Sequence, residues 1–178
     1  MMLTTSNDKE IIEFIKDNQE YFFRVAFSYV KNQDQALDIV QEAIVKALQK
    51  RYTLRHIEYL KTWFYRILVN ECFATIKKSK KLLFLGSYQD FEESLKTKDK
   101  YHEEDELYHA MDLLEPKLKM IIILRFFEDM KIEEIAKITR TNTNTVKTRL
   151  YKALKILKMN MEEFVWVIKK KKLKFPSN

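Results

Sequence analysis

The chain has 178 residues, of which 46% are hydrophobic and 33% are charged, and its formal net charge is +7. One Gly and two Pro are too few for the frequent turns of a β-rich fold, so the composition predicts an all-α protein. No apolar run reaches the roughly 18–20 residues that span a bilayer, and the N-terminus lacks the order of a signal peptide. A single cysteine excludes an internal disulfide framework, which predicts a cytoplasmic protein.

The charge is distributed unevenly along the chain. Residues 1–80 hold 13 basic and 10 acidic side chains, residues 81–105 hold 4 and 7, and residues 106–178 hold 16 and 9. The middle segment also loses apolar periodicity and contains the only glycine, Gly86. We therefore predict two small helical domains, 1–80 and 106–178, joined by a flexible linker over 81–105. The basic domains suit an anionic partner, although Lys-rich surfaces are often only solvated.

Apolar residues in the first domain recur at intervals of three and four, which predicts four helices. The first two helices separate near Asn18, the third contains "ALDIVQEAIVKALQK", and the fourth contains "YLKTWFYRILVNECFATIKK". The apolar stripe of the third helix is predicted to bury Ala36, Leu37, Val40, Ala43, Ile44, Ala47 and Leu48. Cys72 has no catalytic partner at an informative spacing and is expected to be a small buried hydrophobe.

The fourth helix carries a second pattern on one face. On a helical wheel a line of cations, an amide and aromatic rings runs along that face: Tyr59, Thr62, Trp63, Arg66, Asn70, Phe73 and Lys77. Unpaired DNA binds to such a face, because aromatic rings stack on bases, amides contact base edges and cations hold phosphates. The alternative is that Trp63, Phe64 and Phe73 belong only to the core. The pattern alone does not choose between the two interpretations.

The segment "IEEIAKITRTNTNTVKTRLYKALK" has the layout of a helix-turn-helix. A short helix is predicted to bury Ile132, Ile135, Ala136 and Ile138. A turn around Arg140–Thr141 follows, and a second helix starts at Asn142, whose side chain can cap it. Because Gly is usual where Arg140 stands, we expect Arg140 to adopt a positive φ.

The second helix of this motif is predicted to be amphipathic. Its core stripe consists of Val146, Leu150, Ala153, Leu154 and Leu157. The opposite side holds Asn144, Thr148, Tyr151, Lys152 and Lys155, with Lys147 and Arg149 toward its edges. Residues 140–158 contain six basic side chains and no acidic one, which favours a helix that reads the major groove. The alternative is a helix whose lysines merely face water.

Three segments together resemble the bacterial extracytoplasmic-function sigma factors. They are "ALDIVQEAIVKALQK", "YLKTWFYRILVNECFATIKK" and "LEPKLKMIIILRFFEDMKIEEIAKITRTNTNTVKTRLYKALKILK". The likeness runs from about Tyr21 to Lys158 and leaves only the linker unmatched. It implies sigma domain two before the linker and sigma domain four after it. It also implies a protein that binds RNA polymerase core enzyme and directs it to promoter DNA.

The resemblance assigns roles position by position. Residues expected to bind core polymerase are Asp38, Gln41 and Glu42. The loop Tyr52–Glu58 is where related proteins receive a flipped-out base. The -10 element is assigned to Arg66 and Asn70, with Tyr59, Trp63, Phe73 and Lys77 on the same face. The -35 element is assigned to Lys147, Thr148, Arg149, Tyr151 and Lys152, with Asn144 and Lys155 beside them.

Other protein classes fit the sequence less well. A conventional helix-turn-helix regulator leaves residues 21–78 unexplained. An enzyme would have to work with three His and without a nucleophile elbow, metal-ligand spacing or Gly-rich phosphate loop, so we predict no catalytic residue, metal, cofactor or small-molecule substrate. Family members are commonly held inactive by a membrane-anchored anti-sigma factor, which implies such a partner and an envelope-stress signal. The Lys-rich tail is a cap, a DNA clamp, a membrane contact or a solvated end.

Overall fold

In the computed structural model, the described parts of the chain are residues 6–84 and 110–160. Every regular element in these two ranges is helical, which confirms the all-α prediction. No helix within them is long and apolar enough to cross a membrane. The Lys-rich tail and most of the predicted linker lie outside the described residues.

Four α-helices and two short 3₁₀ turns make up the first bundle. They are α1 (Ser6–Asp17), α2 (Gln19–Val30), α3 (Gln33–Gln49), the turns Arg51–Thr53 and Ile57–Tyr59, and α4 (Leu60–Phe84). The break predicted near Asn18 is confirmed: its side-chain Nδ2 donates to the Phe14 carbonyl at 2.8 Å, between the end of α1 and the start of α2. The α3 N-terminus is capped by Asn32, whose Oδ1 accepts from the Gln35 N–H at 2.8 Å.

Aromatic rings form the centre of this bundle. Phe22 of α2 stacks on Phe64 of α4 with ring centroids 4.2 Å apart, and Tyr65 meets Phe22 edge-on at 5.5 Å. Cys72 is fully buried farther along α4, and burial raises the pKa of its thiol to about 12. The thiol therefore stays protonated near neutral pH, which confirms that Cys72 is a structural hydrophobe.

The predicted apolar stripe of α3 is partly wrong. Ala36, Val40, Ala43 and Ala47 are buried as expected, but Leu37 and Leu48 are 43% and 38% exposed. Ile39 is buried instead. The cause is that α3 contacts both α2 and α4, so its buried face is rotated toward Ile39 and away from the two leucines.

The second bundle contains the helix-turn-helix. Residues 110–112 are helical and are followed by α5 (Pro116–Ile122), a π-helical turn (Ile123–Phe127), α6 (Ile132–Thr139) and α7 (Thr143–Asn160). The π turn adds a residue to the hydrogen-bonded ring, and the Glu128 N–H donates to the Ile123 carbonyl at 3.3 Å. The chain leaves the turn at Glu128, which faces the first bundle (below).

The two bundles pack directly against each other. α4 contacts α6, α2 contacts the π turn, and the buried side chains of both bundles form one continuous apolar cluster. The sequence predicted two bundles but contained no sign of this interface.

Candidate nucleic-acid interface

The turn of the helix-turn-helix is built on a left-handed residue. Arg140 ends α6 with φ 53° and ψ 44°, and its N–H donates to the Ala136 carbonyl. The Thr141 N–H donates to the same carbonyl at 3.0 Å, and the hydroxyls of Thr139 and Thr141 are 3.0 Å apart. The expected positive φ is confirmed. A residue with a Cβ costs on the order of 1 kcal/mol there, and the local hydrogen bonds offset this cost.

The Thr/Asn run before α7 starts that helix. Asn142 Oδ1 accepts a hydrogen bond from the Thr145 N–H at 2.7 Å, as predicted for an N-cap. Such a cap stabilises a helix by about 1 kcal/mol, because it satisfies a backbone donor of the first turn that has no intrahelical partner. The first turn of α7 is thereby held rigid while Asn144 stays exposed.

The two faces of α7 separate as predicted. The stripe Val146, Leu150, Ala153, Leu154 and Leu157 is buried. On the other side, the exposed residues are Asn144, Lys147, Thr148, Tyr151, Lys152 and Lys155, and Arg149 is half-buried. Within the described residues, only one of these lysines forms an ion pair: Lys152 Nζ lies 3.1 Å from Glu115 Oε1. The face is therefore a free, cationic surface of the kind that contacts a DNA groove.

The candidate face of α4 is less open. Asn70 and Lys77 are exposed, but Trp63, Arg66 and Phe73 are half-buried. Phe73 meets Tyr29 edge-on with ring centroids 5.8 Å apart. The core interpretation is confirmed for Phe64, which is fully buried, and in part for Trp63 and Phe73, which pack against the core and also border the surface. DNA binding by this face stays a prediction.

Trp63 links α4 to the loop before it. The indole Nε1–H donates to Thr53 Oγ1 at 3.0 Å, and the Thr53 hydroxyl donates to the Lys50 carbonyl at 2.7 Å. Arg51 pairs with Asp8 at 3.3 Å, which ties the start of the loop to α1. The Tyr52 side chain on this anchored loop is 80% exposed, so its aromatic ring projects into solvent from a backbone that is held in place.

Arg66 of α4 and Tyr59 of the preceding 3₁₀ turn both contact the second bundle. Arg66 Nη2 donates to the Lys137 carbonyl of α6 at 2.9 Å, and Lys137 Nζ lies 5.5 Å above the centre of the Tyr59 ring. Burial, with a smaller contribution from nearby Arg140, lowers the pKa of the Arg66 guanidinium. Arg66 is thus held by a hydrogen bond within the protein, whereas the Tyr59 side chain stays 50% exposed beside Lys137.

A separate groove runs between α3 and α4. It has a volume of about 630 Å³, and its lining includes Asp38, Gln41, Glu42, Val45 and Glu71. The three residues predicted to bind polymerase thus lie together and are exposed. Lys46 Nζ lies 2.6 Å from Glu71 and 3.1 Å from Glu42, and the hydrogen bond to Glu71 raises the pKa of Lys46. Lys78 also lines the groove, so three carboxylates (Asp38, Glu42 and Glu71) lie beside two lysines (Lys46 and Lys78) and the groove is only slightly acidic.

Four residues at these surfaces were missed from the sequence. Thr53 anchors the loop, Glu71 lines the groove, and Glu128 and Lys137 contact the first bundle. The sequence offered one local signal at these surfaces: Glu42 and Lys46 are four residues apart on a helix, a spacing that favours an ion pair beside the groove. The other partners are distant in sequence, so no periodicity could have identified them.

The chain is similar to known proteins over both bundles. The family described as Sigma-70 region 2 matches residues 14–82, and the family described as Sigma-70, region 4 matches residues 104–157. RNA polymerase sigma factor SigV of Bacillus subtilis (strain 168) is 49% identical over 151 residues, which covers 85% of this chain and 90% of that protein. ECF RNA polymerase sigma factor SigX of the same strain is 29% identical over 150 residues, 79% of this chain and 77% of that protein.

A solved structure shares the fold. The sigma factor RpoE of Bartonella quintana, determined in complex with the anti-sigma factor NepR, superposes with a TM-score of 0.67 at 20% sequence identity. The likeness covers 83% of this chain and 95% of that one.

Proposed function

This chain belongs to the bacterial extracytoplasmic-function sigma factors of the sigma-70 family, and from that premise we propose how its surfaces divide the work of promoter recognition. The first bundle binds RNA polymerase core enzyme through the α3–α4 groove and the -10 element through α4 and its preceding loop. The second bundle binds the -35 element through α7. The protein acts in the cytoplasm and performs no chemistry of its own.

The observation that carries this proposal is the exposed face of α7. It presents an amide, two hydroxyl-bearing side chains and lysines on a rigid, capped helix whose other side is fully packed. Asn144 and Lys152 are placed to contact base edges and Thr148 a thymine methyl, while the remaining cations contact phosphates. Lys lacks the bidentate geometry of Arg, so the lysines contribute more to affinity than to specificity.

The -10 surface suits single-stranded DNA. Tyr52 offers a ring on an anchored loop, and Asn70 and Lys77 offer an exposed amide and a cation along α4. Bases that leave the duplex can stack on such rings while the cation holds the backbone. Trp63 acts mainly by holding the loop through Thr53.

The α3–α4 groove suits a basic partner surface. Asp38 and Glu42 are exposed carboxylates on consecutive turns of α3. Glu71 of α4 is only 12% exposed and is paired with Lys46, so the charge offered to a partner comes from α3. Charge complementarity of this kind guides encounter and register. Shared attachment to polymerase makes the second DNA contact intramolecular, so two weak contacts together give selective binding.

We also propose control by an anti-sigma factor in an envelope-stress response. Covering the α3–α4 groove and the face of α7 would block both polymerase and promoter binding. The two surfaces are open in this structure, which leaves them available to such a partner. Co-purification with the products of neighbouring genes, followed by loss of binding in an Asp38→Ala/Glu42→Ala variant, tests this part.

Run-off transcription tests the central proposal. The purified chain is added to bacterial core polymerase on genomic DNA fragments, and defined start sites are mapped. Initiation that depends on this protein supports the proposal, and the start sites reveal both promoter elements. DNA binding without initiation would instead identify a conventional helix-turn-helix regulator. The absence of both DNA binding and initiation would reject both hypotheses.

A further inference from the structure

The exposed ring of Tyr52 lies between two residues that are each held by a helix. Arg51, just before it, pairs through Nε with Asp8 Oδ1 of α1 at 3.3 Å, and its Nη1 donates to the Leu48 carbonyl at 2.8 Å. Thr53, just after it, accepts a hydrogen bond from the indole of α4. Since both neighbours are fixed, the backbone of Tyr52 has little freedom, while its side chain stays open to solvent.

Helix α1 is itself fixed to the bundle, so it can hold the loop in place. Ile11 is fully buried, and the Phe14 ring meets the Phe64 ring of α4 edge-on with centroids 5.9 Å apart. Asp8 lies one turn before Ile11, and its side chain is only 14% exposed. Its carboxylate therefore reaches Arg51 from a helix that is packed on the aromatic core.

We propose that Asp8 of α1 is a positioning residue for recognition of the -10 element, and that it acts by fixing the loop that presents Tyr52 to an unpaired base. In this role Asp8 touches no DNA. The inference rests on the proposed function, because it concerns how the loop assigned there distinguishes one base from another. Asp8 also precedes the segment that matches Sigma-70 region 2, which begins at residue 14, so α1 adds this role from outside that segment.

Fixing the loop matters because a base stacks well only on a ring that is already in place. If the ring sat on a mobile loop, part of the stacking free energy would be spent on ordering the loop during binding. The planar guanidinium of Arg51 fixes its own orientation by contacting Asp8 and the Leu48 carbonyl through different nitrogens. The ion pair is partly exposed, so we expect its effect on base recognition to be moderate.

Two other roles for Asp8 give different results in experiments. If the ion pair only stabilised the bundle, its loss would weaken binding to polymerase, the -35 duplex and the -10 strand together. If the carboxylate acted directly on DNA by repulsion, its removal would strengthen binding to every strand alike. A positioning role changes only the preference of the loop for the base that stacks on Tyr52.

Amide hydrogen exchange in the full-length chain tests the loop without DNA. The Thr53 N–H donates to the Lys50 carbonyl at 2.8 Å, and the Leu54 N–H donates to the Arg51 carbonyl at 3.1 Å. Exchange at these two amides therefore reports how often the loop opens.

The variants are chosen so that charge changes while size is kept. Asp8→Asn removes the charge, and Asp8→Glu keeps it. Glu13→Gln is the matched control, because Glu13 is an exposed carboxylate of the same helix that pairs with Lys9 at 3.8 Å. We expect exchange at the two loop amides to be about twofold to fivefold faster in Asp8→Asn, and unchanged in the other two variants.

Strands that lack one base test what the fixed loop does. The chain is assembled with core polymerase, and the probe is a 12-nucleotide single strand with the -10 sequence found by run-off transcription. In a second set of strands one base at a time is removed, and the ratio of the two affinities cancels the phosphate contacts that the strands share. Removing the base that stacks on Tyr52 should weaken binding by about fivefold or more, and Tyr52→Ala identifies this base because it abolishes the difference.

Asp8→Asn should reduce the ratio for this base by about twofold to fivefold, and less at high salt, where a partly exposed ion pair is screened. Asp8→Glu should restore the ratio, and Glu13→Gln should leave it unchanged. In the Tyr52→Ala background Asp8→Asn should have no further effect on the ratio, because the ring through which it acts is gone. Affinities for core polymerase and for a -35 duplex should be the same in all Asp8 variants.

The outcomes separate this inference from the proposed function. Unchanged exchange in Asp8→Asn would show that α1 does not hold the loop. Faster exchange with an unchanged ratio would overturn the positioning role and leave the proposed function intact, and so would an equal change in affinity for every strand. Failure of the unsubstituted protein to initiate on any fragment would reject the proposed function, and the role of Asp8 with it. Circular dichroism shows whether each variant is folded, and Arg51→Lys, which keeps the charge but not the planar group, replaces Asp8→Asn if the latter is not.

Discussion

Helices α4 and α7 both carry a face proposed to bind DNA, yet they are built in opposite ways. In α7 the packed side and the exposed side are separate, and the proposed contact residues have almost no other role in the described structure. In α4 the proposed contact residues also support the core, anchor a loop and meet the other bundle. A duplex groove accepts a protruding helix, whereas unpaired bases need rings backed by a rigid surface.

The largest effect on stability and on DNA binding together is expected from a substitution in the aromatic core beneath α4. Phe64→Ala removes a fully buried ring that stacks on Phe22, and we expect the free energy of unfolding to fall by about 3–5 kcal/mol. Single-stranded DNA binding should fall as well, even far below the unfolding midpoint, because the -10 face rests on this ring. Urea unfolding and fluorescence anisotropy measure the two effects. A stability loss below about 1 kcal/mol would contradict the packing described here.

The face of α7 should show the reverse behaviour. Asn144→Ala is expected to weaken binding to a -35 duplex by about 1–3 kcal/mol and to relax specificity at one position, because an amide contact to a base edge is lost. The unfolding midpoint should stay the same, since Asn144 is exposed. Electrophoretic mobility shifts on a library of -35 sequences measure both affinity and specificity.

Lysine variants serve as comparators on the same bundle. Lys147→Ala should weaken binding to all sequences alike if its ammonium contacts phosphate, and it should reduce the salt dependence of binding by about one unit of slope. Lys117→Ala removes an exposed lysine from α5, outside the proposed face, and should leave binding unchanged. Equal losses from both variants would mean that net charge, and not the α7 face, drives binding.

A moderate effect is expected where α4 holds its loop. Trp63→Phe keeps a ring but removes the hydrogen bond to Thr53, so the free energy of unfolding should fall by about 0.5–1.5 kcal/mol. The preference for the correct -10 sequence over altered sequences should fall as well, because the loop that carries Tyr52 is no longer anchored. Thr53→Val removes the other partner of the same bond. Denaturation of the two single variants and the double variant should therefore give clearly less than additive losses.

The smallest effect concerns the ion pair between Lys152 and Glu115 on the α7 face. Glu115→Gln frees Lys152 from a partner 3.1 Å away, and both side chains are largely exposed. Exposed pairs are worth about 0–1 kcal/mol, so stability should barely change. Duplex affinity should rise slightly at low salt and not at high salt, where such interactions are screened. A titration at two salt concentrations, with Glu133→Gln as control, measures this.

Much of the second bundle was predictable because its signals are local. The cap at Asn142, the positive φ at Arg140 and the buried stripe from Val146 to Leu157 each depend on neighbours within a few positions. Helix periodicity and capping express such short-range geometry directly in the order of residues. The family resemblance rested on this region together with two segments of the first bundle.

The α3 stripe shows where local signals stop being sufficient. Leu37 and Leu48 match the apolar repeat but are exposed, whereas Ile39 is buried, because two neighbouring helices decide which face of α3 is covered. The roles of Trp63 and Glu71 depend in the same way on partners that lie 10 and 25 positions away in the chain.

The residue order alone was enough for the helical class, the two bundles, the helix-turn-helix and the sigma factor family, because each follows from periodicity, capping or short motifs. Only tertiary packing decided that Glu128 contacts the first bundle and that Lys137 of α6 contacts Arg66 and Tyr59. Those contacts join residues 63 to 78 positions apart, and nothing in the chemistry of either segment alone specifies its partner. The face of α4 predicted from the sequence is thus partly engaged in the folded chain, at Arg66, while Asn70 and Lys77 stay exposed.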